Sequence, residues 1–262
     1  MFDVTGTMVT SDKPIAVFAG ANVAEVPDGN AEAPNPLVQE QLPVEQWGTN
    51  VLAISFAGRT NGDTYRVLAA YDDTLVTITG KVVTVVNNLV FPHTVTTTNE
   101  TVSTNLAAGA FCDIILDGPA QFQATKPIQV AQFANGTLFD HAFDPNDPNT
   151  EGDPCEILLP STSHYLNSYT VFTPANDGVT GDFDENYLNL IISQSALTNT
   201  LVDGSLVVAT NYMAIGTSGY YGAQLTMTNN GTHTVISSQP VGLEVYGWGA
   251  ADAYGYFGGI VK

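Results

Sequence analysis

Basic side chains are nearly missing from this 262-residue chain. Six Lys and Arg (Lys13, Arg59, Arg66, Lys81, Lys126 and Lys262) stand against 26 Asp and Glu, a net charge of −20. A surface so negative repels phosphate backbones and anionic headgroups, which excludes nucleic acid and direct membrane insertion as partners. Long apolar runs are absent too, so no segment of about 18 apolar residues offers a transmembrane helix. The opening Met1-Phe2-Asp3-Val4 has neither the basic nor the apolar stretch of a signal peptide. The expectation is an excised segment of a secreted or surface protein whose export signal is not part of this sequence. Cysteine is scarce: Cys112 and Cys155 are too few for a disulfide framework. They form either one bridge or two buried thiols that never meet.

Helical signals are also lacking, since no capped stretch places apolar residues at i, i+3 and i+4. Short runs rich in Val, Ile, Thr, Tyr and Phe take their place, including Val51–Phe56, Tyr65–Tyr71, Leu75–Thr79, Val82–Val86, Phe111–Leu116 and Tyr187–Ile192. Leu75-Val76-Thr77-Ile78-Thr79 alternates, so Val76 and Ile78 share one face and Leu75, Thr77 and Thr79 the other. Turn chemistry separates the runs at Asn61-Gly62, Asp117-Gly118-Pro119, Asp203-Gly204 and Asn230-Gly231. The fold class is all-β.

Three segments share a Pro followed by apolar residues: Lys13-Pro14-Ile15-Ala16-Val17, Lys126-Pro127-Ile128-Gln129-Val130 and Gln239-Pro240-Val241-Gly242-Leu243. Pro14 and Pro127 are 113 residues apart, and so are Pro127 and Pro240; Gly118 and Gly231 each precede their Pro by nine residues. This predicts a duplicated β unit, with residues 1–125 as the first and 126–262 as the second. The expected architecture is two β-sandwich or jelly-roll-like units packed together. Each Pro is expected at the start of its strand, where a missing N–H is tolerated. The stretches 21–46, 136–154 and 174–185 read as long loops, the usual carriers of binding surfaces on a rigid β frame.

Lys13-Pro14-Ile15-Ala16-Val17-Phe18-Ala19-Gly20, Gln41-Leu42-Pro43 with Trp47-Gly48, Gly152-Asp153-Pro154 with Pro160 and Tyr165, and Tyr246-Gly247 with Tyr254-Gly255-Tyr256 together resemble the IgGFc-binding protein N-terminal domain family. The likeness extends over nearly the whole chain. It implies an extracellular or cell-surface module of binding or adhesion, with no catalytic residues to carry over. The sequence departs from the family where a cysteine and a doubled proline are usual: Pro36-Leu37 and Pro43-Val44 stand there, which puts a family disulfide pattern in doubt.

For chemistry, the acidic stretch Asp140, Asp144, Asn146, Asp147, Asn149, Glu151 and Asp153 spaces oxygen donors as Ca²⁺ requires. Asp177, Asp182, Asp184 and Glu185 form a second acidic cluster; neither follows an EF-hand pattern. The plain alternative for both is a solvated acidic turn. His93, His141, His164 and His233 lack zinc-ligand spacing and read as structural or surface residues. Carboxylate pairs such as Asp72-Asp73, or Asp113 with Asp117, could serve a glycosidase, but pairs arise freely among 26 acids. Trp47, Tyr220, Tyr221, Trp248 and Tyr254 could stack on a ligand if exposed and would be core if buried. The function expected is non-catalytic recognition of an extracellular protein or glycan through acidic loops. The alternatives are a subunit self-assembling into a fibre or coat and, third, a secreted carbohydrate-active enzyme.

Overall fold

A computed structural model describes residues 3–27, 34–87, 94–139, 152–175, 183–208 and 211–260. The alternation read in the sequence becomes two packed sheets and a separate ribbon. The ribbon pairs β1 (Phe18–Ala24) with β2 (Asn35–Glu40). A seven-stranded sheet follows, made of β3 (Gly48–Ala53), β4 (Asp63–Ala69), β5 (Thr74–Asn87), β6 (Thr94–Leu106), β7 (Phe111–Leu116), β8 (Ala120–Phe133) and β9 (Glu156–Leu159). The remaining strands form an eight-stranded sheet: β10 (Leu166–Thr173), β11 (Phe183–Ser193), β12 (Leu201–Val202), β13 (Ser205–Leu206), β14 (Tyr212–Ala214), β15 (Tyr220–Met227), β16 (Gly231–Gly249) and β17 (Asp252–Phe257). The chain is all-β, as its patterning predicts.

Val76 and Ile78 are buried while Leu75 is exposed, as their alternation requires. The two short runs on either side of Gly80 are one long strand, β5, because β6 pairs along nearly its whole length. Asp203 and Gly204 both have positive φ (50° and 76°), the backbone of a tight two-residue hairpin between β12 and β13. One expectation needs correcting: the stretch 21–46 is not a plain loop, since β2 lies within it. Pro36 and Val38 point outward and Leu37 and Gln39 inward, a weak alternation that becomes a strand only because β1 supplies its ladder.

The long strands β8 and β16 organise the two sheets. β8 pairs with β3, β4, β5 and β9, and β16 with β10, β11, β12 and β17. Their registers run alike. Val51 faces Phe122 and Tyr169 faces Val235, while Val67 faces Val130 and Leu190 faces Leu243. Both strands carry a register irregularity, between Gly48 and Asn50 on β3 and between Leu166 and Ser168 on β10. Pro127 and Pro240 fall at these irregularities, inside β8 and β16 and not at strand starts as expected, while Pro14 precedes β1. Pro127 lies where β8 leaves β5 for β4, and Pro240 where β16 leaves β12 for β11. A missing N–H is harmless where a strand changes neighbours. β8 runs unbroken through residue 126, and the second sheet begins at Leu166.

The sheets share their interior. One cluster joins Val51, Phe56, Tyr65, Phe122 and Ile157 to Tyr187, Tyr246 and Trp248 of the second sheet. A buried polar seam runs beside it. Asp63 Oδ2 accepts from Phe56 N (2.9 Å) and Gln132 Nε2 (2.8 Å). Asn189 Nδ2 donates to Glu244 Oε2 (3.1 Å), and the Tyr246 hydroxyl donates to Asn189 Oδ1 (2.8 Å) while accepting from Ala57 N (2.8 Å). Burial pushes the Glu244 carboxyl up to about 8, its bond from Asn189 opposing and Asp63 reinforcing the rise.

Candidate binding surface

At one end of the two-sheet body the residues that follow the two acidic stretches, Gly152 and Phe183, come together at Gly249. Gly152, where the chain returns from 140–151, donates its N–H to Gly249 O at 2.8 Å. Phe183, where it returns from 176–182, faces the same Gly249 in the β11–β16 register. Two stretches far apart in sequence thus rejoin the fold at one residue.

The floor of this end is Trp248, buried at 1% exposure. Its indole N–H donates to Ala57 O at 2.8 Å, and the Arg59 guanidinium lies 4.9 Å over its ring. Space is tight: a Cβ on Gly152 would stand 2.2 Å from Arg59 Nη1 and 3.1 Å from Trp248 Cε3, and one on Gly58 would meet Tyr187 Oη and Glu185 Oε2. The Tyr187 hydroxyl donates to Glu185 Oε2 at 2.5 Å. Asp153 is buried, and burial raises its carboxyl to about 6, with Arg59 opposing and Asp252 adding to the rise. Its Oδ1 has no hydrogen-bond partner among the described residues.

The sequence candidates distribute as follows. Asp140, Asp144, Asn146, Asp147, Asn149 and Glu151 lie outside the described residues, as do Asp177, Asp182, His93 and His141. Among the described residues no group of three or more His, Cys, Asp or Glu stands close enough to hold a metal ion. The aromatic set does not gather on one exposed face. Trp248 belongs to the core, because its strand in the second sheet packs it against Phe56 and Ala57. Tyr254 is half-buried against Phe183, its hydroxyl bonded to Asn186 Oδ1. Tyr220 packs edge-on to Tyr165, Tyr221 is half-buried on β15, and Trp47 donates to Leu42 O at 2.9 Å. The two cysteines are free thiols, Cys112 half-buried on β7 and Cys155 buried before β9. Of the two arrangements left open, the structure has the separate thiols: β7 holds Cys112 opposite Val67, while Cys155 O accepts from Ala134 N beyond β8.

The carboxylate pairs considered for hydrolysis are used elsewhere. Asp113 receives both Arg66 Nε and Nη2 at 2.8 Å, Asp117 pairs with Lys81, and Asp72 accepts from Ala108 N in a turn. His233 lies between Asp203 (2.7 Å) and Thr173 (2.9 Å). This has the order of a catalytic relay, but Thr173 is fully buried, so its hydroxyl can meet no substrate and the line pins β10, β16 and the β12–β13 hairpin together. Sequence reasoning missed Arg59 as the centre of the loop-bearing end. Its one signal was rarity, an arginine beside Gly58 in a chain with two arginines.

These features define a β scaffold of two sheets that share one core. The chain belongs to the IgGFc binding protein family, whose model matches residues 2–247. It is similar to the human IgGFc-binding protein, 25% identical over 260 residues that cover 97% of this chain and 4% of that protein. The chain therefore spans a small fraction of that relative. No solved structure matches, and no helix among the described residues is long and apolar enough to cross a membrane.

Proposed function

We propose that this chain is a non-catalytic, extracellular binding module that presents its loop-bearing end to a protein or glycan partner. The observation carrying this reading is that Gly152 and Phe183, the residues that follow 140–151 and 176–182, both meet Gly249. With Asp153, Asp184, Glu185 and Asp252 nearby in the chain, that end gathers acidic side chains suited to a basic partner or to a bridging divalent cation. The name of the human relative supports a protein partner. Calcium belongs to the proposal, with Asp140, Asp144, Asn146, Asp147, Glu151 and Asp153 as ligands. Asp153 Oδ1, buried and without a hydrogen-bond partner among the described residues, suits a cation, but the other donors must come from 140–151. The duplication is proposed with it, supported by the matching registers around β8 and β16.

Thermal unfolding in millimolar Ca²⁺ and in EDTA tests the metal. At a hundredfold excess over Kd a folded-state ligand adds about 2.7 kcal/mol, several degrees in a chain of this size. Asp153→Asn should remove the rise. An unchanged midpoint discards calcium, and an immunoglobulin Fc fragment and a glycan array, each screened in both buffers, then test the surface itself.

A further inference from the structure

The ribbon β1–β2 repeats a pairing found twice more. Phe18, Ala19 and Gly20 face Glu40, Gln39 and Val38. On β8, Ala131, Gln132 and Phe133 face Leu158, Ile157 and Glu156. On β16, Glu244, Val245 and Tyr246 face Phe257, Tyr256 and Gly255. Each residue of the first triple lies 113 before its counterpart on β8, and the same step leads on to β16, the interval that separates the three prolines. The next strands lie side by side: Gln39 Nε2 donates to Glu156 O (2.5 Å) and to Gly255 O (3.4 Å).

One element distinguishes the three. The far edge of β8 is covered by β4, with Ala69 opposite Ile128 and Thr64 opposite Phe133. That of β16 is covered by β11, with Ile191 opposite Gly242 and Tyr187 opposite Tyr246. Among the described residues β1 pairs with β2 alone. Side-chain exposure follows. Ile128 and Val241 are 1% and 0% exposed, whereas Ile15 is 55%; Ala131 and Glu244 are 6% and 4%, whereas Phe18 is 65%. The segment is nonetheless held in place. Asp3 and Thr5 bond Arg66, and Gln41 N donates to Val17 O.

We infer that Ile15–Gly20 is an open seat for an antiparallel strand of the β4 and β11 kind, supplied by another β unit of this same fold. The step of 113 sets the register: a β4-type strand would place its Ala69 position opposite Ile15 and its Thr64 position opposite Gly20. Such a strand adds ladder hydrogen bonds and covers Ile15 and Phe18 together, the mode of β-augmentation. An uncovered edge with apolar neighbours is otherwise a liability for aggregation. This inference stands independently of the loop-bearing end.

The probe is a synthetic peptide with the sequence of residues 62–70, added to the full chain and followed by amide hydrogen exchange and light scattering. The expected result is exchange at least tenfold slower across residues 15–20, with the chain monomeric beforehand. Ile15→Asp with Phe18→Asp should abolish the protection and leave the melting temperature unchanged, because both side chains are exposed. Equal protection by a scrambled peptide, or no protection at saturating peptide, overturns the inference. So does a dimer that protects these amides without peptide, since the seat would then belong to a second β1.

Discussion

The guanidinium of Arg59 lies 4.9 Å over the Trp248 ring while Gly152 fills the remaining space beside both. A cation against an indole face is worth from about 0.5 kcal/mol when exposed to about 2 kcal/mol when desolvated, and Arg59 is half-buried. Any side chain at Gly152 displaces it.

Gly152→Ala tests that packing. Gly152 has φ +72° and its added Cβ would meet Arg59 Nη1 at 2.2 Å. The left-handed backbone alone costs an alanine roughly 1–2 kcal/mol, and moving Arg59 adds to it. Calorimetry should show a midpoint lowered by about 4 °C or more. An unchanged midpoint would mean that Arg59 has another place to go.

Glu244 sets a pH dependence. Its carboxyl titrates near 8 in the fold against an ordinary value of 4.5, so the folded state binds a proton that the unfolded chain has released between those values. Stability from this group is full below about pH 4.5 and is lost as pH rises through 8. Glu156, raised to about 7 by burial with Arg66 opposing, and Asp153 act in the same direction. Each pKa unit is worth about 1.4 kcal/mol, so denaturant midpoints should fall between pH 5 and 8.5. Glu244→Gln should flatten that slope and match or exceed the parent at pH 8.5. An unaltered slope would place the dependence on the other two carboxyls.

The thiols give a chemical readout. Burial pushes Cys155 up to about 12, partly offset by Arg59, and burial with Asp113 raises Cys112. A thiolate is the reactive form, so native protein at pH 7.5 should leave Cys155 unalkylated by iodoacetamide and react slowly at Cys112. Denaturant alone, without reductant, should release two thiols. Finding none would establish the bridge that the structure lacks.

The all-β class was legible because alternation needs no tertiary knowledge. Leu75 to Thr79 sorts its faces from side-chain polarity alone, and Asp203-Gly204 marks a hairpin because few residues accept two positive φ angles in succession. The spacing of Pro14, Pro127 and Pro240 set an expectation of equivalent strands, and Pro127 and Pro240 lie within β8 and β16. Why those strands tolerate proline was not legible, since the handover from β5 to β4 along β8 depends on pairing between residues about 40 to 70 apart. The second acidic cluster was visible as composition, but the meeting of Gly152 and Phe183, which flank the two clusters, depends on Gly249, a residue with no side chain to announce a role. Trp248 illustrates the division best. Local sequence marks it as a large aromatic in a glycine-rich strand, equally fit for a ligand or a core. Only the closing of the second sheet over Phe56 and Ala57 buries it, because burial belongs to the pair of surfaces that meet and not to either strand alone.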